Sequence, residues 1–185
     1  WAKEELKNNK FSEDTFFAST RLKAQCMRNK FFTTGDQTIK SEYRKIFSMV
    51  SEIIDKTKEP SRMSAYSYRI AASCDWEKVR CQRKSNAEIL LRILQNGDIH
   101  LIQDRVGLSD LYVAFTIKDR DQIQSQLSQM GIFNTIIWPL NNEQKKICDI
   151  ARFTEEHMLA APCDQRYSME DMEFMGKEIL KIIGE

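Results

Sequence analysis

The sequence predicts an α/β fold of the two-layer α+β kind, a small antiparallel or mixed sheet packed with helices and preceded by two long helices. Three observations predict it. Residues 1–60 carry apolar side chains at three- and four-residue steps, the period of helices. Beyond Asp75, helical stretches alternate with short apolar, β-branched runs at 99–102, 111–117 and 132–138. Glycine, proline and asparagine punctuate the boundaries, at Gly35, Pro60, Asn96-Gly97, Gly131 and Pro139. Short strands with helices on one side bury their apolar faces as a layered domain.

The elements follow in order. Ser12 reads as an N-cap, with Glu13 and Asp14 suited to the positive end of the helix dipole. That helix carries Phe16, Phe17, Thr20, Ala24 and Met27 to about residue 32, and Gly35 ends it. A second helix is predicted over 38–57, with Tyr43, Ile46, Phe47, Val50, Ile53 and Ile54 on one stripe, closed by Pro60. Residues 61–74 are small and rich in hydroxyls. Asp75 reads as the N-cap of a long helix to about 95, with Trp76, Val79, Arg83, Ala87, Leu90 and Leu94 on one face. Asn96-Gly97 stops it, the glycine being free to take a left-handed cap. Asp119 is read as capping a helix with Ile123, Leu127 and Met130, and 132–138 as a buried-type strand. A helix from Asn141 or Asn142 through 153, a strand over 158–161 and a last helix complete the chain. Ser168 and Asp171 form its expected capping box, and Met169, Met172, Met175, Ile179 and Ile183 its stripe. The resulting division is a helical arm or bridge over 1–60 and a small α/β domain over 61–185.

Composition excludes several function classes. The 28 basic and 27 acidic residues leave a formal charge of +1, which gives no electrostatic reason to expect nucleic acid or an anionic membrane as partner. No apolar run is long enough to span a bilayer. The cysteines at 26, 74, 81, 148 and 163 include no Cys-x-x-Cys pair, and an odd, scattered set suits reduced thiols and a cytoplasmic location. No glycine-rich phosphate loop and no metal-ligand spacing is present. The opening at Trp1, in polar helix-like sequence, is expected of a fragment or a trimmed chain.

Two segments stand out chemically. Met63-Ser64-Ala65-Tyr66-Ser67-Tyr68-Arg69 gathers hydroxyls before a helix, where they can bind a phosphate or cap the helix. Asp164-Gln165-Arg166-Tyr167 puts an arginine in a turn after a strand, where it can clamp a carboxylate at two points or pair with Asp164. His157 and Cys163 leave a Cys–His nucleophile as a third reading.

The order of these motifs resembles the DegT-like PLP-dependent aminotransferases. Met63-Ser64-Ala65-Tyr66-Ser67, then Asp75, then Arg83-x-x-Asn86 look like the crossover between the two domains of that family. Residues 111–117, then Asp119-Arg120-Asp121, Gly131-Ile132 and Trp138-Pro139, are similar to its small domain. Pro162-Cys163-Asp164-Gln165-Arg166-Tyr167-Ser168 resembles its closing turn. The resemblance covers residues 62–185 and, more loosely, the two helices before them.

The resemblance implies the C-terminal small domain of a fold type I enzyme, a homodimer acting on a small amino or keto substrate with pyridoxal 5'-phosphate. It places the cofactor's lysine and the acidic partner of its ring nitrogen in a large domain that this chain lacks. The chain by itself is therefore expected to be inactive. By the same resemblance Ser64, Tyr66 and Ser67 would face the cofactor phosphate, and Arg166, Tyr167 and Trp138 the substrate. Where sugar-nucleotide members carry asparagine–arginine–methionine at the crossover, this chain has Met63-Ser64-Ala65-Tyr66-Ser67, which leaves the substrate open. A stand-alone α/β binding or dimerisation module is the alternative, and it would bury the stripes of its first two helices.

Overall fold

The computed structural model describes residues 13–58, 61–103, 105–107, 110–137 and 139–184. It divides into two compact units, with the boundary between Cys74 and Asp75.

The first unit is a helical hairpin followed by a short helix. Helices α1 (Phe16–Thr34) and α2 (Gln37–Lys56) meet through Gly35, whose φ of 69° is a conformation that glycine adopts without a Cβ penalty. Asp36 caps α2 by accepting a hydrogen bond from Thr38 N at 2.8 Å. Asp14 accepts from Phe17 N at 2.9 Å at the start of α1, and Ser12 lies outside the described residues. Between the helices, Ala24, Tyr43 and Val50 are buried. The rings of Phe31, Tyr43 and Phe47 form a chain with centroids 6.0 and 6.1 Å apart. Phe16, Phe32, Met49 and Ile54 stay exposed. Helix α3 (Ala65–Ser73) buries no residue of its own.

The second unit holds the main core. Asp75 caps α4 (Trp76–Leu94) through Lys78 N at 3.0 Å, and Asn86, Ala87, Leu90, Leu91 and Leu94 form its buried face. Trp76 is 60% exposed, so it lies off that face. At the other end Gly97 does not turn left-handed. Hydrogen bonds from Gln95, Asn96 and Gly97 to Leu91, Ile93 and Leu94 carbonyls tighten the last turn instead. Strands β1 (His100–Leu101), β2 (Tyr112–Thr116) and β3 (Met158–Pro162) form an antiparallel sheet in the order β1-β2-β3. Val113 pairs with Ala161 and Phe115 with Leu159. All five residues of β3 are buried. Val113, Phe115, Leu90, Leu94, Leu127, Leu159, Met172 and Ile179 make the centre of the core.

Three expectations are corrected here. Helix α5 (Arg120–Gln129) starts after Asp119, but that side chain makes no capping bond; its backbone is left-handed at φ 56° and its carbonyl accepts from Gln122 and Ile123. Residues 132–137 do not form a strand. Thr135 alone bridges to Ala160, while Gln124 Nε2 donates to the Asn134 carbonyl at 3.0 Å and so takes an acceptor that a strand neighbour would use. The predicted helix from Asn141 is two pieces, α6 (Asn142–Lys145) and α7 (Asp149–His157), because Cys148 turns extended between them. An ion pair of 2.7 Å between Lys145 and buried Glu155 ties the pieces together. The last helix, α8 (Met169–Ile183), opens with the expected Ser168–Asp171 capping box. It buries Met172, Met175, Gly176 and Ile179 while leaving Met169 exposed.

Candidate functional site

The turn between β3 and α8 gathers several side-chain hydrogen bonds of the second unit. Tyr167 N donates to the Asp164 carbonyl at 3.2 Å, closing a four-residue turn. Asp164 is 8% exposed and its carboxylate holds Arg166 in a fork. Oδ1 accepts from Arg166 N at 3.0 Å and Nε at 2.8 Å, and Oδ2 accepts from Nη2 at 2.6 Å. These bonds to Arg166 hold the Asp164 carboxyl below the usual carboxylate range, against the opposing effect of burial. Arg166 is correspondingly held in its charged form by the same carboxylate. Its guanidinium carbon lies 5.8 Å from the centroid of the Tyr167 ring, whose phenol burial pushes up in pKa. Arg166 keeps 59% of its side chain exposed, so an anchored cation is presented to solvent.

Helix α4 supplies the floor of this turn. Asn86 Nδ2 donates to the carbonyls of Asp164 at 2.9 Å and Tyr167 at 3.0 Å. Arg83 Nε donates to Gln165 Oε1 at 2.7 Å, and Gln82 Nε2 to Asn86 Oδ1 at 2.9 Å. Gln82 was missed, and Asn86 was noted in Arg83-x-x-Asn86 without a site role, because a polar side chain on an apolar helix face does not name its partners. The signal was their spacing, which puts Gln82, Asn86 and Leu90 on one stripe.

Cys163 precedes the turn and is fully buried. Burial, with the charges of Asp110 and Asp164, pushes its thiol up to about 12, with Arg83 opposing. Such a thiol is neutral near pH 7, which disfavours the Cys–His reading. His157 ends α7 with its ring stacked on Phe153 at 4.2 Å and its Nδ1 2.8 Å from the Phe153 carbonyl oxygen. Among the described residues, no group of three or more His, Cys, Asp or Glu side chains can hold a metal ion.

In the first unit, Ser64 caps α3. Its Oγ accepts from Ser67 N at 3.1 Å and bonds Ser67 Oγ at 2.9 Å, so these two hydroxyls are together. Glu13 Oε1 accepts from Ala65 N at 2.6 Å, which puts an anionic oxygen at the amino end of α3. Tyr66 is 52% exposed and lines, with Ser64, Glu13 and Leu22, a cavity of about 240 Å³. Arg166 and Tyr167 are likewise adjacent in the second unit. Trp138 lies outside the described residues.

No protein-family model matches the chain, and no curated protein does. Solved structures do. A DegT DnrJ EryC1 StrS aminotransferase from Brucella abortus is 15% identical with a TM-score of 0.49, over 59% of this chain and 32% of that one. The sugar aminotransferase CalS13 from Micromonospora echinospora is 12% identical with a TM-score of 0.47, over 58% and 31%. GDP-4-keto-6-deoxy-D-mannose-3-dehydratase from E. coli, with bound hydrated PLP, is 20% identical with a TM-score of 0.48, over 56% and 31%. The chain spans about a third of the length of the solved structures it matches. Those structures are a DegT DnrJ EryC1 StrS aminotransferase, a sugar aminotransferase and a dehydratase with bound PLP, and this chain is similar to one segment of each.

Proposed function

We propose that the chain is the C-terminal small-domain part of a PLP-dependent aminotransferase. In this reading the enzyme moves an amino group between an amino acid and a keto substrate. One observation carries the reading: two segments that resemble the family in sequence, Arg83-x-x-Asn86 and Asp164-Gln165-Arg166-Tyr167, meet through three side-chain bonds across about 80 positions. The meeting leaves Arg166 anchored on one edge and exposed, which suits a substrate carboxylate. The exposed Phe16, Phe32, Met49 and Ile54 on α1 and α2 support a part that needs more protein around it, and disfavour a self-contained module.

In this reading the cofactor's phosphate lies beside the Ser64 and Ser67 hydroxyls at the amino end of a nine-residue helix and takes the place that the Glu13 carboxylate holds on Ala65 N. PLP, when bound, supplies the electron sink for the chemistry at the amino carbon. This chain's residues would hold the phosphate (Ser64, Tyr66, Ser67) and orient the substrate (Arg166, Tyr167). The lysine that carries the cofactor would belong to a separate large domain, and the active site to a cytoplasmic homodimer.

A PLP absorbance titration with borohydride trapping tests this, on the 185-residue chain and on the protein read from its native start codon. Uptake and a trapped lysine adduct in the longer protein alone support the reading. Absence of PLP uptake in both leaves only a shared fold, and a binding module then becomes the better description.

A further inference from the structure

Asn86 is fully buried, yet it sits in the apolar face of α4 between Leu90 and the turn. A buried primary amide stays in a core only when its donors and acceptor are placed. The carbonyls of Asp164 and Tyr167 can only accept, so the NH2 end of Asn86 faces the turn, donating to them at 2.9 Å and 3.0 Å. Its Oδ1 is left to accept from Gln82 Nε2 at 2.9 Å. These carbonyls belong to the first and last residues of the four-residue turn, so one amide holds both ends of it. Arg166 lies inside that bracket. Its backbone N–H and its Nε both bond Asp164 Oδ1, so the direction of the guanidinium follows from where Asp164 is held.

We propose that Asn86 is the positioning residue for Arg166: the Asn86 amide, braced at its oxygen by Gln82, sets the Asp164–Tyr167 turn and through it the direction of the Arg166 guanidinium. The proposal rests on reading Arg166 as a carboxylate-binding group. Leucine of similar volume would fill the same core space, so packing alone does not explain an amide at this position.

Hydrogen exchange on the ¹⁵N-labelled 185-residue chain tests it. The backbone N–H groups of Arg166 and Tyr167 report the turn, and those of Phe115 and Leu159 report the core. In Asn86→Ala, exchange at Arg166 and Tyr167 accelerates by about tenfold or more, as expected for losing a buried hydrogen-bond partner, while the core reporters hold. Malonate, used as a two-carboxylate probe, shifts the Arg166 Nε–H signal in the unmodified chain and binds about tenfold more weakly to the variant. Equal acceleration of turn and core would show a merely structural residue, and an unchanged turn would show no role; either overturns the proposal. If Asn86→Ala does not fold, Gln82→Ala at its half-exposed position removes the bond to Asn86 Oδ1 together with the longer, 3.5 Å one to the Tyr167 carbonyl, so Arg166 N–H, which Gln82 does not touch, is the reporter. Exchange there then accelerates by about threefold, and no change there overturns the proposal equally. If malonate leaves Arg166 of the unmodified chain unmoved, the carboxylate reading of Arg166 fails, and the exchange data still decide the positioning.

Discussion

Asp164 and Arg166 form a pair whose pH response has a definite sign. Because the Asp164 carboxyl is held low in the folded chain, its contribution is present above the ordinary carboxylate value of about 3.9 and is lost as pH falls through the depressed one. The exposed guanidinium limits the size of the effect to about 1 kcal/mol. Asp164→Asn should therefore lower the urea midpoint at pH 6 and narrow the gap between midpoints at pH 6 and pH 3. Equal gaps in the two proteins would remove the pair as a source of acid sensitivity. Cys163 acts at the other end of the scale. With its thiol pushed up to about 12, the unfolded chain ionises first, and stability drains from about pH 8.5 upward. At this scale the sequence was informative where a residue caps or turns, as with Asp75, Ser168 and Gly35. It marked Asn86 in Arg83-x-x-Asn86 and left its role unread, because that role depends on carbonyls 78 and 81 positions away.

Helices α4 and α8 approach closely because Gly176 has no side chain. A Cβ there would meet Ile93 Cγ2 at 2.9 Å and Ile93 Cβ at 3.1 Å. Gly176→Ala should cost about 1–3 kcal/mol of the second unit's stability, seen as a lower urea midpoint, since added volume forces the helices apart. Ile93→Ala removes the nearest atom, so the double variant should lose less than the sum of the two single losses. Strict additivity would mean that the contact at Gly176 is not what resists the extra methyl. Helices were legible as elements because their stripes and caps are local. The stretch 132–138 misled for a physical reason: its residues are strand-like, but the Asn134 carbonyl is taken by Gln124 and Phe133 stays exposed. Strand composition describes a preference, and the neighbouring chain that would satisfy it is not written in the segment.

The two units differ in how much they bury. The first rests on Ala24, Tyr43 and Val50, and the second on a core that runs through α4, the sheet, α5 and α8. Regions with few buried apolar contacts open at lower free energy. Amides of α1 and α2 should therefore exchange at least about tenfold faster than those of β2 and α8, and limited proteolysis should cut within 13–74 before it cuts the second unit. Equal protection of α1 and β2 would contradict this ranking. Among the described residues no helix is long and apolar enough to cross a membrane. The sheet itself has a consequence for behaviour at high concentration. Its β1 edge is two residues long, and the far side of β3 is taken by Thr135, whose N–H and carbonyl bond Ala160 at 3.0 and 2.9 Å. A long row of unpaired backbone groups is what recruits strands from other molecules into fibrils, and neither edge presents one. Any clumping of this chain would thus begin at its uncovered aromatic side chains, and the sheet would stay a bystander.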